Sequence, residues 1–423
     1  MDEDALDINE PRIKAEEASP YRWVIVGMLM MMYGAGWGTS FILGILLPSI
    51  SDTFSLSPSD QGLLGSSVVW ANLLLAIPLG WWLSRYRVKN FTIVVLLLGA
   101  FFMAAQGWAL NFALLLLARV FFGLTLTARE PARAILTRQW IPPREINLVN
   151  ALLNAAVAST IGVVLIISPF ILSGFGDDWR KTLYVFALVS LIPALLWMVL
   201  GRERRRPKVR EEENSQEESP LRALIKYRQL WIANLAFFGN FVAYFALATF
   251  WPTYVLEKFD LSLQAAGLIL GINGFMQSVG GMIAVYLLIK KDIRKGILIT
   301  SGLVLTSSTV GMLLTGSFPL LIVLSILQGL GWAFIVIAMT VPFELPGIKP
   351  RELAVAVASS EMSMWAGGAV GPVLVGWVHQ ASGSLFMALL IPSLFLILVS
   401  LSGVLLPRSA SPYPSLAMET ARK

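Results

Sequence analysis

The chain has 423 residues, of which 56% are hydrophobic and only 14% charged. A water-soluble domain carries charge at about a quarter of its positions, so soluble enzymes and nucleic-acid modules are excluded and a bilayer is implied. The formal charge of +6 does not point to nucleic acid, because the basic residues sit at the ends of apolar runs, where they orient a membrane protein.

Zero cysteines remove disulfides, thiolate metal sites and cysteine nucleophiles, and the single histidine, His379, leaves little for zinc or serine–histidine catalysis. Residues 1–20 are acidic and polar, without the basic-then-apolar order of a cleavable signal, and read as a cytoplasmic tail.

A spanning helix needs about 20 predominantly apolar residues. Twelve such runs follow in chain order, near 22–48, 60–83, 91–110, 113–136, 146–172, 182–201, 230–256, 265–289, 297–315, 318–341, 353–378 and 384–406. One set of connecting loops carries Arg85, Arg87 and Lys89, then Arg138 and Arg144, the cluster from Arg202 to Arg228, Lys290, Lys291, Arg294 and Lys295, and finally Lys349 and Arg351. The alternate loops carry only Arg180, Lys181 and Lys258. By the positive-inside rule both termini are expected in the cytoplasm of a cell whose plasma membrane holds the chain.

Residues 202–228 form the one long linker and divide the spans into bundles over 21–201 and 229–406, with a second cytoplasmic tail at 407–423. The bundles look alike. A shift of 205 residues, that from Gly62 to Gly267, lays Asp52, Phe54, Leu56, Ser57, Arg85 and Lys89 on Glu257, Phe259, Leu261, Ser262, Lys290 and Arg294. A shift of 207 lays Pro143-Arg144-Glu145 on Pro350-Arg351-Glu352. The expected fold is therefore an all-α polytopic membrane protein of twelve helices in two parallel six-helix repeats.

That arrangement resembles the major facilitator superfamily of secondary transporters over essentially the whole chain. After span two the family carries Gly-x-x-x-Asp-Arg-x-Gly-Arg-Lys; here Gly80, Arg85 and Lys89 match, while Ser84 and Arg87 replace the aspartate and a glycine. In span four, Arg119 and Gly123 match an Arg-x-x-x-Gly element. Arg119, Trp140 to Glu145 and Asp178-Trp179-Arg180 are similar to members that carry small anions, although Leu126 stands where those members often have an acid.

An ionisable group inside a span costs roughly 3 kcal/mol or more, so each is a functional candidate. Arg119 lies about two turns into span four, and Gly123, Leu126, Glu130, Arg133 and Thr137 share its face, with Arg129 at the margin. Glu361 is the clearest acid within a span, and its repeat partner is Asn154; Arg119 falls on Ser325. Unmatched charges suit substrate binding or proton coupling, since purely structural roles tend to duplicate in a repeat. The structural alternatives stay open: Arg119 bonding helix-end carbonyls, and Glu361 bonding a hydroxyl or amide of a neighbouring helix.

The resemblance implies a cavity lined by spans one, four, seven and ten. On these the candidate substrate-binding residues are Arg119, Tyr33, Trp37, Asn234, Phe238, Phe241, Tyr244, Gln328 and Trp332, with Glu361 as the proton-coupling acid. Arg85, Arg129, Glu130, Arg133 and Glu344 are expected at a cytoplasmic gate. The expected function is alternating-access, proton-coupled transport of a small organic anion such as a carboxylate. The alternatives are a proton-driven exporter of amphipathic compounds and a non-transporting sensor. The expected partners are a small-molecule substrate, protons and the lipid bilayer, with no nucleic acid, metal or cofactor, and the chain is expected to be a monomer and not an enzyme.

Overall fold

The computed structural model describes residues 19–83, 87–142, 145–203, 225, 227–290, 293–345 and 347–406, with backbone only for 74–83, 147, 288–290, 350–351 and 354. Arg85 and Arg144 thus lie outside the described residues.

Every expected span is helical. The first six are Arg22–Ser40 with Leu43–Phe54, Pro58–Leu83, Val88–Gly107, Phe112–Trp140, Ile146–Gly174 and Trp179–Leu200. The second six are Arg228–Phe259, Leu263–Lys290, Arg294–Leu314, the composite Phe318–Leu330 to Val341–Glu344, Pro350–Ser382, and Leu385–Leu394 with Ile397–Leu405. Ten of these are long and apolar enough, among the described residues, to cross a membrane by length and composition.

Local chemistry sets several ends. Asn111 caps span four by accepting the Leu114 N–H at 2.9 Å, and Asp178 caps span six by accepting those of Arg180 and Lys181. Pro350 opens span eleven at a position where its missing N–H is no loss, and Gly383 closes it with φ of 67°.

Besides the turn at Phe395 and Leu396 in span twelve, two spans are broken in ways that apolar patterning does not reveal. Span one turns at Phe41 and Ile42, just after the poor helix formers Gly36 and Gly38. Span ten passes through short 3₁₀ segments at Gly331–Ala333 and Val341–Glu344, the second holding Pro342, whose ring cannot continue an α-helix.

The repeat extends to detail. Ser55 and Asp260, 205 apart, both end their helices in the left-handed region, with φ of 51° and 52°. Span four crosses span two where a Cβ on Gly123 would strike the Val68 carbonyl. Span ten crosses span eight where one on Gly329 would lie 2.7 Å from the Asn273 carbonyl, and Asn273 is Val68 shifted by 205.

For description, the side bearing the N-terminus is the terminal side and the opposite one the distal side. Close contacts between the two bundles fall in the distal halves of the helices. Gly62 and Gly65 of span two pack on Pro372 and Gly376 of span eleven, Gly44 of span one packs on Ala248 of span seven, and Gly162 lies against Gly271 across spans five and eight. Small residues let these backbones approach closely. On the terminal side the ion pairs Arg22–Glu145 and Arg294–Glu344 each stay within one bundle. Among the described residues the halves are therefore sealed distally, and the cleft between them opens on the terminal side.

Candidate functional site

Two rungs lie along the cleft, a polar one supplied by spans one, four and eleven and an aromatic one in which span one meets span eleven. The polar rung lies nearer the terminal side. Glu130 and Arg133, one turn apart on span four, form an ion pair at 3.1 Å, and the Arg133 guanidinium lies 5.2 Å from the centre of the Tyr33 ring. The Tyr33 hydroxyl is buried beside Glu130 without a hydrogen bond of good geometry. From the other bundle Glu361 enters the field of both Glu130 and Arg133, and it is exposed although it lies well inside span eleven.

The aromatic rung is one helical turn deeper. Trp37, four residues after Tyr33, stacks on Trp365, four residues after Glu361, with ring centres 5.0 Å apart and planes 6° from parallel. Beyond them Phe41 meets Tyr244 and Phe245, each at 5.4 Å, and Tyr244 meets Trp332 at 4.8 Å. Phe241 joins the cluster 5.9 Å from Trp332 and 6.3 Å from Trp365. Trp37, Phe41, Phe241, Tyr244 and Trp332 thus come together as their helical spacing suggests. Phe245 and Trp365 were not singled out from the sequence, although Trp365 follows Glu361 at the same four-residue spacing that marks Tyr33 and Trp37.

Other candidates are placed elsewhere. Phe238 packs on Phe395 of span twelve at 6.3 Å, apart from the cluster. Asn234 donates to Ser359 and accepts from Ser360, bolting span seven to span eleven. Gln328 donates to Thr309 at 2.6 Å and accepts from Asn273 at 3.0 Å, and Asn273 in turn accepts from Gln277 at 2.8 Å, so one amide chain ties spans eight, nine and ten together. The Asn240 amide nitrogen is buried without a partner. Glu344 pairs with Arg294 at the terminal ends of spans nine and ten.

The arginines separate into kinds. Arg119 is 3% exposed, and all three of its nitrogens already have acceptors: Nε donates to the Leu64 carbonyl at 3.2 Å, Nη2 to the Ser40 carbonyl at the break in span one at 3.0 Å, and Nη1 to Gln106 Oε1 at 3.4 Å. Its surroundings are the distal seal, where it lines a small pocket with Gly44, Gly65 and Thr249. Its repeat partner Ser325 donates to the Ile269 carbonyl, and Ile269 is Leu64 shifted by 205. The contact is therefore duplicated, and the absence of a charged counterpart at Ser325 no longer argues for substrate binding. Arg129, expected at a gate, is 4% exposed inside the first bundle; it donates to the Met32 carbonyl at 2.9 Å and runs between Gly36 and Gly99. Arg133 alone of the three faces the cleft with part of its surface open, at 27% side-chain exposure.

Known proteins share this architecture. The chain is 23% identical over 413 residues to the "Probable galactarate/D-glucarate transporter GudP" of Bacillus subtilis, covering 88% of each chain. It is 26% identical over 281 residues to the "Hexuronate transporter" of the same organism, covering 63% of this chain and 64% of that one. Among solved structures, a bacterial homolog of the human lysosomal transporter Spinster, described as inward-facing and unoccupied, superposes with a TM-score of 0.76 at 17% identity over 92% of this chain and 97% of that one. A sequence model of the Major Facilitator Superfamily matches residues 26–341 and again 235–421, across both bundles, and the chain belongs to that superfamily of membrane transporters.

Proposed function

We propose that this transporter moves a small organic carboxylate together with a proton by alternating access, with its terminal side facing the cytoplasm. The observation that carries the reading is the convergence of the Glu130–Arg133 pair of one bundle with Glu361 of the other on the cleft wall. A substrate carboxylate can take Arg133 from Glu130. That adds a third negative charge beside one guanidinium, and a proton on Glu361 restores the balance, so substrate and proton load together. Two relatives named for sugar acids support a carboxylate. The lysine- and arginine-rich loops on the terminal side support the orientation.

Uptake into proteoliposomes under an imposed pH gradient tests it. Glu361→Gln is expected to abolish accumulation while leaving substrate exchange intact, and Arg133→Gln to abolish both. Accumulation at the wild-type rate in both variants would sink the proposal.

The aromatic rung favours a second reading, proton-driven export of amphipathic compounds. Against it, Arg119, Arg129 and Arg133 outnumber Glu130 and Glu361 in the middle of the spans, which disfavours lipophilic cations. Transport of such cations but not of carboxylates selects this second reading.

A further inference from the structure

We infer that the solute is a monocarboxylate carrying a planar ring, in preference to a polyhydroxylated acid; this deepens the carboxylate reading above and rests on it. Two features of the cleft lead there, one of spacing and one of hydrogen-bond supply.

The polar and aromatic rungs are separated by four residues on both walls, Tyr33 to Trp37 on span one and Glu361 to Trp365 on span eleven, a rise of about 6 Å along a helix. A carboxylate held at Arg133 therefore leaves about 6 Å to the Trp37–Trp365 stack, a gap of roughly four or five bonds that one ring next to the carboxylate bridges. Those rings stack on one another within 6° of parallel, and Phe241 stands at 81° to Trp365, so what a solute meets is the half-buried Trp365 at the rim of an aromatic stack. A planar ring gains offset-stacked and edge-to-face contacts there.

Hydroxyls find little. Two of the amides on the spans that carry the cluster are committed to neighbouring helices, Asn234 to Ser359 and Ser360 and Gln328 to Thr309 and Asn273, which leaves the Tyr244 hydroxyl and the Asn240 amide nitrogen as the few groups beside it. A solute with a hydroxyl on nearly every carbon would lose water from each and regain few partners, which lowers affinity for every group left unpaired. The Tyr33 hydroxyl, buried beside Glu130 at the Arg133 subsite, can turn to a single carboxylate that replaces Glu130 there.

The test is ligand-induced thermal stabilisation of the purified full chain, with substrate counterflow in proteoliposomes, using benzoate, phenylacetate, glucuronate and glucarate. Benzoate or phenylacetate is expected to reach half-effect at a concentration about tenfold or more below that of either sugar acid. Trp365→Leu is expected to erase most of that ratio and Trp365→Phe to retain it, so that a folding defect in the first variant leaves the second decisive. A lower half-effect concentration for glucarate or glucuronate overturns the inference, as does an unchanged ratio in Trp365→Leu. Proton-coupled flux of sugar acids with none of ring acids defeats this inference alone. Flux of lipophilic cations and of no carboxylate defeats the carboxylate reading with it.

Discussion

Nε of Arg119 donates to the Leu64 carbonyl at 3.2 Å, and the repeat-related Ser325 hydroxyl donates to the Ile269 carbonyl, so both bundles tie span four or ten to span two or eight at one equivalent point. Arg119 adds the Ser40 carbonyl at the turn of span one. A structural tie of this kind has a distinct kinetic signature. Arg119→Gln strands two buried carbonyls and is expected to cost about 2–4 kcal/mol, with Ser325→Ala costing about 1 kcal/mol. The protein that still folds should keep its substrate KM within about twofold. Thermal unfolding and uptake kinetics check this; an undiminished melting temperature with a KM raised about tenfold would make Arg119 a substrate ligand after all.

Arg129 fits its place because two glycines leave room. A Cβ on Gly36 would fall on Nη1, and one on Gly99 would lie 2.6 Å from Nη2, while Nη1 holds the Met32 carbonyl at 2.9 Å. Gly36→Ala must displace the guanidinium from its acceptor and is expected to cost about 1–3 kcal/mol. Arg129→Gln removes the obstacle, so the double variant should be more stable than the sum of the single losses by at least about 0.5 kcal/mol. Strict additivity in thermal unfolding refutes the packing relationship.

Glu130 competes with the proposed substrate for Arg133, since its carboxylate already sits 3.1 Å from the guanidinium. Glu130→Gln keeps the shape and removes the competitor. Carboxylate binding is expected to tighten several-fold, by about 1 kcal/mol, while turnover slows because release becomes harder. Equilibrium binding and exchange rates on the same preparation check both halves of this expectation. Weaker binding would show that Glu130 orients Arg133 and does not mask it.

The spans were legible from the sequence because hydrocarbon demands an apolar run of fixed length, and composition alone satisfies or fails that demand. The repeat was legible through residues as slight as Ser57 and Ser262. What patterning missed depends on which acceptor a side chain finds. Arg119 and Arg133 share one helical face in the sequence, yet one is saturated by carbonyls in the distal seal and the other opens to the cleft. Asn234 and Gln328, expected in the pocket, are hydrogen-bonded to neighbouring helices, a pairing that spacing along one helix does not reveal. Trp365 is legible in principle, because it follows Glu361 by one helical turn and so shares its face.

The distal seal makes the most direct claim about motion. Span two and span eleven meet backbone to backbone, with a Cβ on Gly62 pressing on the Pro372 carbonyl and one on Gly376 pressing on that of Pro58. Gly62→Val cannot be absorbed by turning a side chain, because the obstacle is main chain, so it should hold the distal halves apart and shift the population toward a distal-open state. The absence of native cysteines allows a clean reporter. Thr249, 5% exposed in the seal, replaced by cysteine should react several-fold faster with a membrane-impermeant thiol reagent from the distal side when Gly62→Val is present. Gly174→Ala at the distal end of span five, where a Cβ meets nothing within 4 Å, should leave that rate unchanged. Equal labelling with and without Gly62→Val would mean that the seal yields elsewhere and that the contact between spans two and eleven does not set the balance between the two states.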